Sequence, residues 1–171
     1  MDLGASGRLT VPMTDNRGGT GRGAVLGAAT AATGLVAGVW LAYVCSVMPA
    51  LARSDDRTFV EVMRNINDVI QNPVFFTPFF GALVLTGVAA WQQRRTPAKG
   101  WVIAALVLYV AVFVVTSAVN VPLNDALAAA GNPARLRADF ESPWVAWNLV
   151  RGVLTAVGFG CLLRAMRLRE H

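Results

Sequence analysis

The sequence predicts an all-α integral membrane protein, an antiparallel four-helix bundle with an amphipathic helix in its first outer loop and short helices in its third. Three observations predict it. Hydrophobic residues fill 55% of the 171 positions and mean hydropathy is +0.51, well above an ordinary soluble domain. These residues are concentrated, since residues 23–52, 69–93 and 100–124 contain no Asp, Glu, Lys or Arg. Each stretch exceeds the roughly 20 residues that cross a ~30 Å hydrocarbon layer as a helix. A fourth apolar stretch, 143–163, is interrupted by Asn148 and Arg151. The spans are therefore expected at about 24–49, 73–91, 100–119 and 143–163, within one transmembrane domain, 23–171. Residues 1–22, rich in Gly, Arg and Thr, read as a disordered cytoplasmic tail, and the apolar run behind them is too long for a cleaved signal peptide.

The net charge of +5 and pI near 10.2 do not indicate a nucleic-acid partner. The cations sit at span ends and not in a folded basic patch. Arg8, Arg17, Arg22, Arg94, Arg95, Lys99, Arg164, Arg167 and Arg169 put nine on one face, while Arg53, Arg57, Arg64, Arg135 and Arg137 put five on the other. The positive-inside rule then places both termini in the cytoplasm of a multi-pass cell-membrane protein. Cys45 and Cys161 fall near opposite ends of their spans, too far apart for a disulfide, and read as small apolar packers.

In the first span Thr30, Gly34, Gly38, Ala42 and Ser46 recur every four residues. Such a small-residue stripe lets another helix approach closely, within the bundle or across a homodimer through Gly34 and Gly38. Pro49 helps to end the span. On the outer face, Thr58 and Glu61 match a capping box that opens a helix within 54–72. Phe59, Val62, Met63, Ile66, Val69 and Ile70 then form its apolar stripe, and Glu61, Arg64, Asn65 and Asp68 its polar face. The second span opens on Phe75, Phe76, Phe79 and Phe80. A basic turn at 92–99, broken by Pro97, joins it to the third span as an antiparallel hairpin.

Asn120-Val-Pro122-Leu-Asn124 is expected to stop the third span, because proline cannot continue the hydrogen-bond ladder. Asn124 is then placed to cap a short helix over 125–130 that ends at Gly131, and Asn132-Pro133 to start another reaching Phe140. Ser142 and Pro143 read as the cap and first residue of the fourth span.

On that fourth helix Trp144, Asn148 and Arg151 share a face, and Trp147 stands four residues before Arg151, placed to stack on its guanidinium. A cation at membrane depth costs about 2.5–3.5 kcal/mol on insertion scales. It therefore needs a counter-charge, several acceptors or a wet cavity. Asp68, Asp125 and Glu141 are the anions within reach, and Asn65, Asn67, Asn120 and Asn124 the nearby amides. Two readings follow. Arg151 is either a staple between the fourth helix and loop acceptors, or the electrostatic floor of a pocket that opens outward. The only histidine, His171, is the terminal residue, and no His or Cys cluster, phosphate loop or nucleophile triad is present. The residues thus provide for no metal or organic cofactor.

With these residues assembled, the chain resembles a family of small four-helix membrane proteins, mostly of unknown function, that includes the fungal anthrone oxygenases. The matching elements are Met63-Arg64-Asn65-Ile66-Asn67 leading to Asn72-Pro73, then Thr116, Asn120-Val-Pro122-Leu-Asn124 and Trp144-Val-Ala-Trp147-Asn148-Leu-Val-Arg151. With the span order they cover roughly residues 27–163. Characterised relatives oxidise anthrones with molecular oxygen and no cofactor. The resemblance implies that a carboxylate, Asp125 or Asp68, deprotonates a phenol-like substrate while Arg151 and Asn148 stabilise its oxyanion. Family membership alone does not transfer a reaction. The first expectation is thus a non-enzymatic binding or accessory role around the Arg151 pocket, in contact with membrane lipids. The alternative is a cofactor-independent oxygenase of a lipophilic aromatic such as an anthrone.

Overall fold

The computed structural model describes residues 17–169, and they form an all-α membrane helical bundle. Four rods are long and apolar enough to cross a membrane: Gly21–Leu51, Pro73–Gln92, Lys99–Ala128 and Pro133–Arg167. The first combines α1 (Arg17–Ala42), a π turn (Tyr43–Val47) and α2 (Met48–Leu51), and α3 (Asp56–Val69) follows it. The second rod is α4 (Pro73–Gln92). The third joins α5 (Lys99–Val115), a second π turn (Thr116–Asn120) and α6 (Val121–Ala128), and the fourth is α7 (Pro133–Arg167). Each rod packs on two neighbours in the cyclic order α1, α4, α5, α7. Leu35, Leu41, Val84, Val107, Val153 and Val157 stay exposed, as the lipid-facing side of a spanning helix requires.

Of the expected tail, residues 1–16 lie outside the described residues and residues 17–22 belong to α1. His171 also lies outside them. Gly34 is where α7 comes close, since a Cβ there would stand 3.0 Å from the Phe159 ring, whereas a Cβ on Gly38 would meet nothing within 4 Å.

Several local expectations are corrected. Pro122 does not stop the third span. Proline at position i lacks an N–H and its ring clashes with the carbonyl of residue i−4. Here residue i−4 is Ala118, inside the second π turn, and the N–H just before the proline (Val121) already reaches back to the Thr116 carbonyl. The widened turn relieves the clash and the rod continues. Pro49 repeats the device, because Met48 N–H reaches the Tyr43 carbonyl in the first π turn. Asn124 therefore lies inside a helix and caps nothing; its Oδ1 accepts from Trp144 Nε1 at 2.9 Å.

Nor do Ser142 and Pro143 open the fourth span. α7 starts ten residues earlier, with the Asn132 side chain accepting from the N–H groups of Ala134 and Arg135, and Pro143 sits within the helix. The second short helix expected in the third loop and the fourth span are thus one rod of 35 residues, about 52 Å long at ~1.5 Å per residue. That exceeds the ~30 Å hydrocarbon thickness, so one end projects beyond it.

The projecting end carries a cap. In α3, Phe59, Val60 and Met63 are buried with Leu127, Phe140, Trp144 and Tyr43. Asp55, not Thr58, is the N-cap: Oδ1 accepts from Thr58 N–H at 3.0 Å and Oδ2 from its hydroxyl at 2.7 Å. Glu61 is engaged instead by Arg57 at 2.8 Å. Two arginines hold the cap down. Arg64 donates to the carbonyls of Leu127 and Ala129 at the end of α6. Arg137 donates to the carbonyls of Ala52 and Ser54 and to Asp56 and Glu141.

Candidate functional site

Arg151 is 3% exposed on the inner face of α7, toward the capped end of the bundle. Its guanidinium carbon lies 4.1 Å from the ring centre of Trp40 and 5.7 Å from that of Trp144. Nη2 donates to Asn148 Oδ1 at 3.0 Å, and Nη1 reaches Thr116 Oγ1 at 3.4 Å. Nε has no partner. Among the described residues no carboxylate forms an ion pair with it.

Three expectations about this site change. The aromatic partners of Arg151 are Trp40 and Trp144, while Trp147, 37% exposed, faces outward. Residue 147 sits at the edge of the inward face, about 100° around the axis from Asn148, and its indole turns to the exposed side. Glu141 is taken by Arg137 at 2.7 Å. Asp68 is exposed on the polar face of α3. Energetically the cation does without an anion. A desolvated cation–π contact is worth up to about 2 kcal/mol and a hydrogen bond to a charged group about 1.5–3 kcal/mol. Together they offset an insertion cost of about 2.5–3.5 kcal/mol.

A cavity of about 310 Å³ reaches Arg151. All four rods line it. Trp40 and Tyr43 come from the first rod, Phe75, Phe76, Phe79 and Phe80 from α4, Phe113, Thr116, Ser117, Val121, Asn124 and Asp125 from the third, and Trp144 with Arg151 from α7. The end of α3 and the turn that follows it add Asn67, Ile70 and Gln71. The two π turns matter here, because each places a polar residue on the cavity wall: Tyr43 from the first, and Thr116 from the second.

Of the residues expected from the sequence, Arg151, Asp125, Asn67, Asn124 and Trp144 line this cavity. Asn148 is buried behind it, turning its oxygen to Arg151 and leaving Nδ2 without a partner. Asn120 is 1% exposed and neither end of its amide is bonded. Asn65 lies outside, in a shallow groove of α3 with Val62, Ile66 and Val69. Trp40, Tyr43, Gln71, Phe113 and Ser117 are lining residues that sequence reasoning missed. Trp40 and Tyr43 stand three apart, a helical same-face spacing, yet nothing in one helix's sequence says that this face meets a cation on another.

Residues 71–161 match the family model for anthrone oxygenases. The chain belongs to the anthrone oxygenase family. No curated protein and no solved structure matches it. The anthrone oxygenase match runs from the end of α3 through α4 and the third rod into α7, and so includes Thr116, Asn120, Asn124, Trp144, Asn148 and Arg151. Met63–Asn67, Trp40 and Tyr43 lie before it. Among the described residues no cluster of three His, Cys, Asp or Glu could hold a metal ion.

Proposed function

We propose that the cavity binds a flat lipophilic aromatic through an anionic or carbonyl oxygen held on Arg151, and that the protein oxidises it as anthrone oxygenases do. One observation carries this reading: a buried guanidinium that has no carboxylate partner, on the wall of an aromatic-lined cavity. A guanidinium stapled to a loop carboxylate would have its charge already compensated. The volume is at the lower end of the ~300–1,000 Å³ typical of small-molecule sites.

The chemistry needs a base, an oxyanion site and molecular oxygen. Asp125, the carboxylate on the cavity wall, takes a proton from the ring methylene of the anthrone. The electron pair moves onto the carbonyl oxygen, where Arg151 stabilises the phenolate-type anion. Oxygen adds at the same carbon and recovers a proton to give a hydroperoxide. Loss of water leaves a second carbonyl, so that CH₂ and O₂ become C=O and H₂O. In this scheme Asn148 positions Arg151 and does not touch the oxyanion, because its oxygen faces the guanidinium. Trp40 and Trp144, which share the cavity wall with Arg151, hold the cation through their rings.

Binding without turnover is the second reading. The exposure of Asp125 favours it, since carbon-acid chemistry runs best where water is excluded. The distribution of nine against five cations supports a cytoplasmic location for both termini. The deciding experiment measures oxygen uptake and anthrone binding by the protein in lipid nanodiscs. The oxygenase reading expects one O₂ consumed per anthrone and at least a tenfold loss in Arg151→Met. Turnover lost in Asp125→Asn with binding intact supports the base. A wild-type protein that binds anthrone without consuming oxygen leaves the second reading, and full turnover in Arg151→Met overturns the site itself.

A further inference from the structure

Resting on the reading that this cavity is a ligand site, we propose that its ligand arrives from within the bilayer, through a side opening between α4 and the stretch formed by the second π turn and α6. The juxtaposition that carries it is Phe76 and Phe80 on α4 facing Ser117 and Val121 on the third rod. All four line the cavity and all four are also exposed on the outside, Phe80 and Val121 at 45% each and Phe76 at 37%. A side chain that belongs to both surfaces marks a wall one residue thick.

Backbone geometry explains why the wall is thin there. Deeper in the bundle the two rods are joined, with the Tyr109 hydroxyl donating to the Phe79 carbonyl at 2.9 Å and the Phe79 and Phe113 rings stacked at 5.8 Å. Toward the capped end α4 packs on α1 and α5 but has no comparable packing against the second π turn or α6. Each rod is irregular at this level, through Pro78 inside α4 and through the π turn ahead of Pro122. Prolines and π turns are the ordinary causes of helix kinks.

Depth and chemistry identify the medium outside. At ~1.5 Å per residue, Phe80 lies about 10 Å from the start of α4 and Val121 about 10 Å from the end of α6. α4 is about as long as a ~30 Å hydrocarbon layer is thick, so Phe80 lies inside the leaflet on the capped side. Val121, about 33 Å along its rod from Lys99, stands at the edge of the layer. Three of the four side chains are apolar. The other approach to the cavity, past Asn67, Gln71, Asn124 and Asp125, is polar. The opening therefore admits membrane-dissolved aromatics that carry an acidic oxygen, and disfavours water-soluble conjugates of the same rings.

The test follows access to a cysteine beside Arg151 and requires no turnover. In a Cys45→Ser, Cys161→Ala background, Thr116→Cys puts a thiol on the cavity wall next to a guanidinium that favours its reactive thiolate. The protein in liposomes is exposed to N-hexadecylmaleimide, confined to the bilayer, or to a charged, water-soluble methanethiosulfonate. The expected result is labelling by the maleimide that slows at least tenfold in Val121→Trp and in the milder Ser117→Phe, with the sulfonate reaction unchanged in both. That unchanged rate also shows that the filled variants are folded. Maleimide labelling that neither substitution slows, or that only Asn67→Trp slows, overturns the side opening. If anthrone fails to bind while this labelling pattern holds, the opening stands and the substrate assignment alone is wrong.

Discussion

The guanidinium of Arg151, on the last helix, lies 4.1 Å from the ring centre of Trp40, on the first. These two residues close the ring of four rods at the level of the cavity and substitute an aromatic face for the expected carboxylate. The arrangement holds the guanidinium of Arg151 without a carboxylate to neutralise it, which is what the proposed oxyanion site requires.

Trp40→Leu is therefore expected to lower stability by about 3 kcal/mol, combining a large-to-small core change with loss of the cation–π contact. Trp40→Phe keeps part of both and loses less than half of that. Urea unfolding in detergent micelles reads the difference, and equal stability of Trp40→Leu and wild type removes the pair as a structural element.

Asn148 and Asn120 are equally buried but bonded differently. Asn148 accepts from a charged group, so Asn148→Leu is expected to cost about 1.5–3 kcal/mol and to weaken anthrone binding by freeing Arg151. Asn120, whose amide has no partner, is expected to tolerate Leu with no loss of stability. The two variants measured side by side decide whether hydrogen bonding or mere burial explains these amides; identical losses count against hydrogen bonding.

Pro122→Ala restores an N–H after the second π turn. The restored bond to the Ala118 carbonyl favours a regular α-helix. Regularising the turn rotates Thr116 away from Arg151, so anthrone affinity is expected to fall severalfold while stability holds or rises. Calorimetric binding and thermal unfolding measure the two, and unchanged affinity shows that the π turn does not shape the site.

Asp55 supplies a pH dependence outside the membrane. Hydrogen bonds from the Thr58 side chain and N–H hold its carboxyl below the usual carboxylate range. Since the folded value is the lower one, its contribution to α3 is fully present above the ordinary carboxylate pKa and is lost as pH falls through the depressed value. Amide exchange in α3 is expected to accelerate in that acid window for the wild type, and to lose this dependence in Asp55→Asn, which keeps the capping oxygen. The same acid response in both proteins excludes Asp55 as its source.

The four spans were legible because hydrocarbon thickness imposes a length and a composition on each helix. The amphipathic α3 was legible because Phe59 and Met63 repeat at helical spacing while Glu61, Arg64 and Asp68 occupy the other face. Helix ends were misjudged at Asn124 and Ser142 for one reason. Local rules treat a capping residue or a proline as a stop, whereas packing against neighbouring rods keeps both helices going, past Pro122 by means of a π turn and past Pro143 within α7.

At the site, Arg151 announced itself through its cost, and Asn148 and Trp144 through shared helical face. Trp40 and Tyr43 did not, because the contact energy lies between helices distant in sequence. By itself, then, the chain determined that four helices would sit in lipid and that one cation inside them would need compensation, both being consequences of transfer from water. Tertiary structure alone decided that two indole rings and a hydroxyl from a π turn would supply part of that compensation and leave a cavity beside it. The physical reason is that only the relative rotation of the rods brings Trp40, Thr116 and Arg151 together.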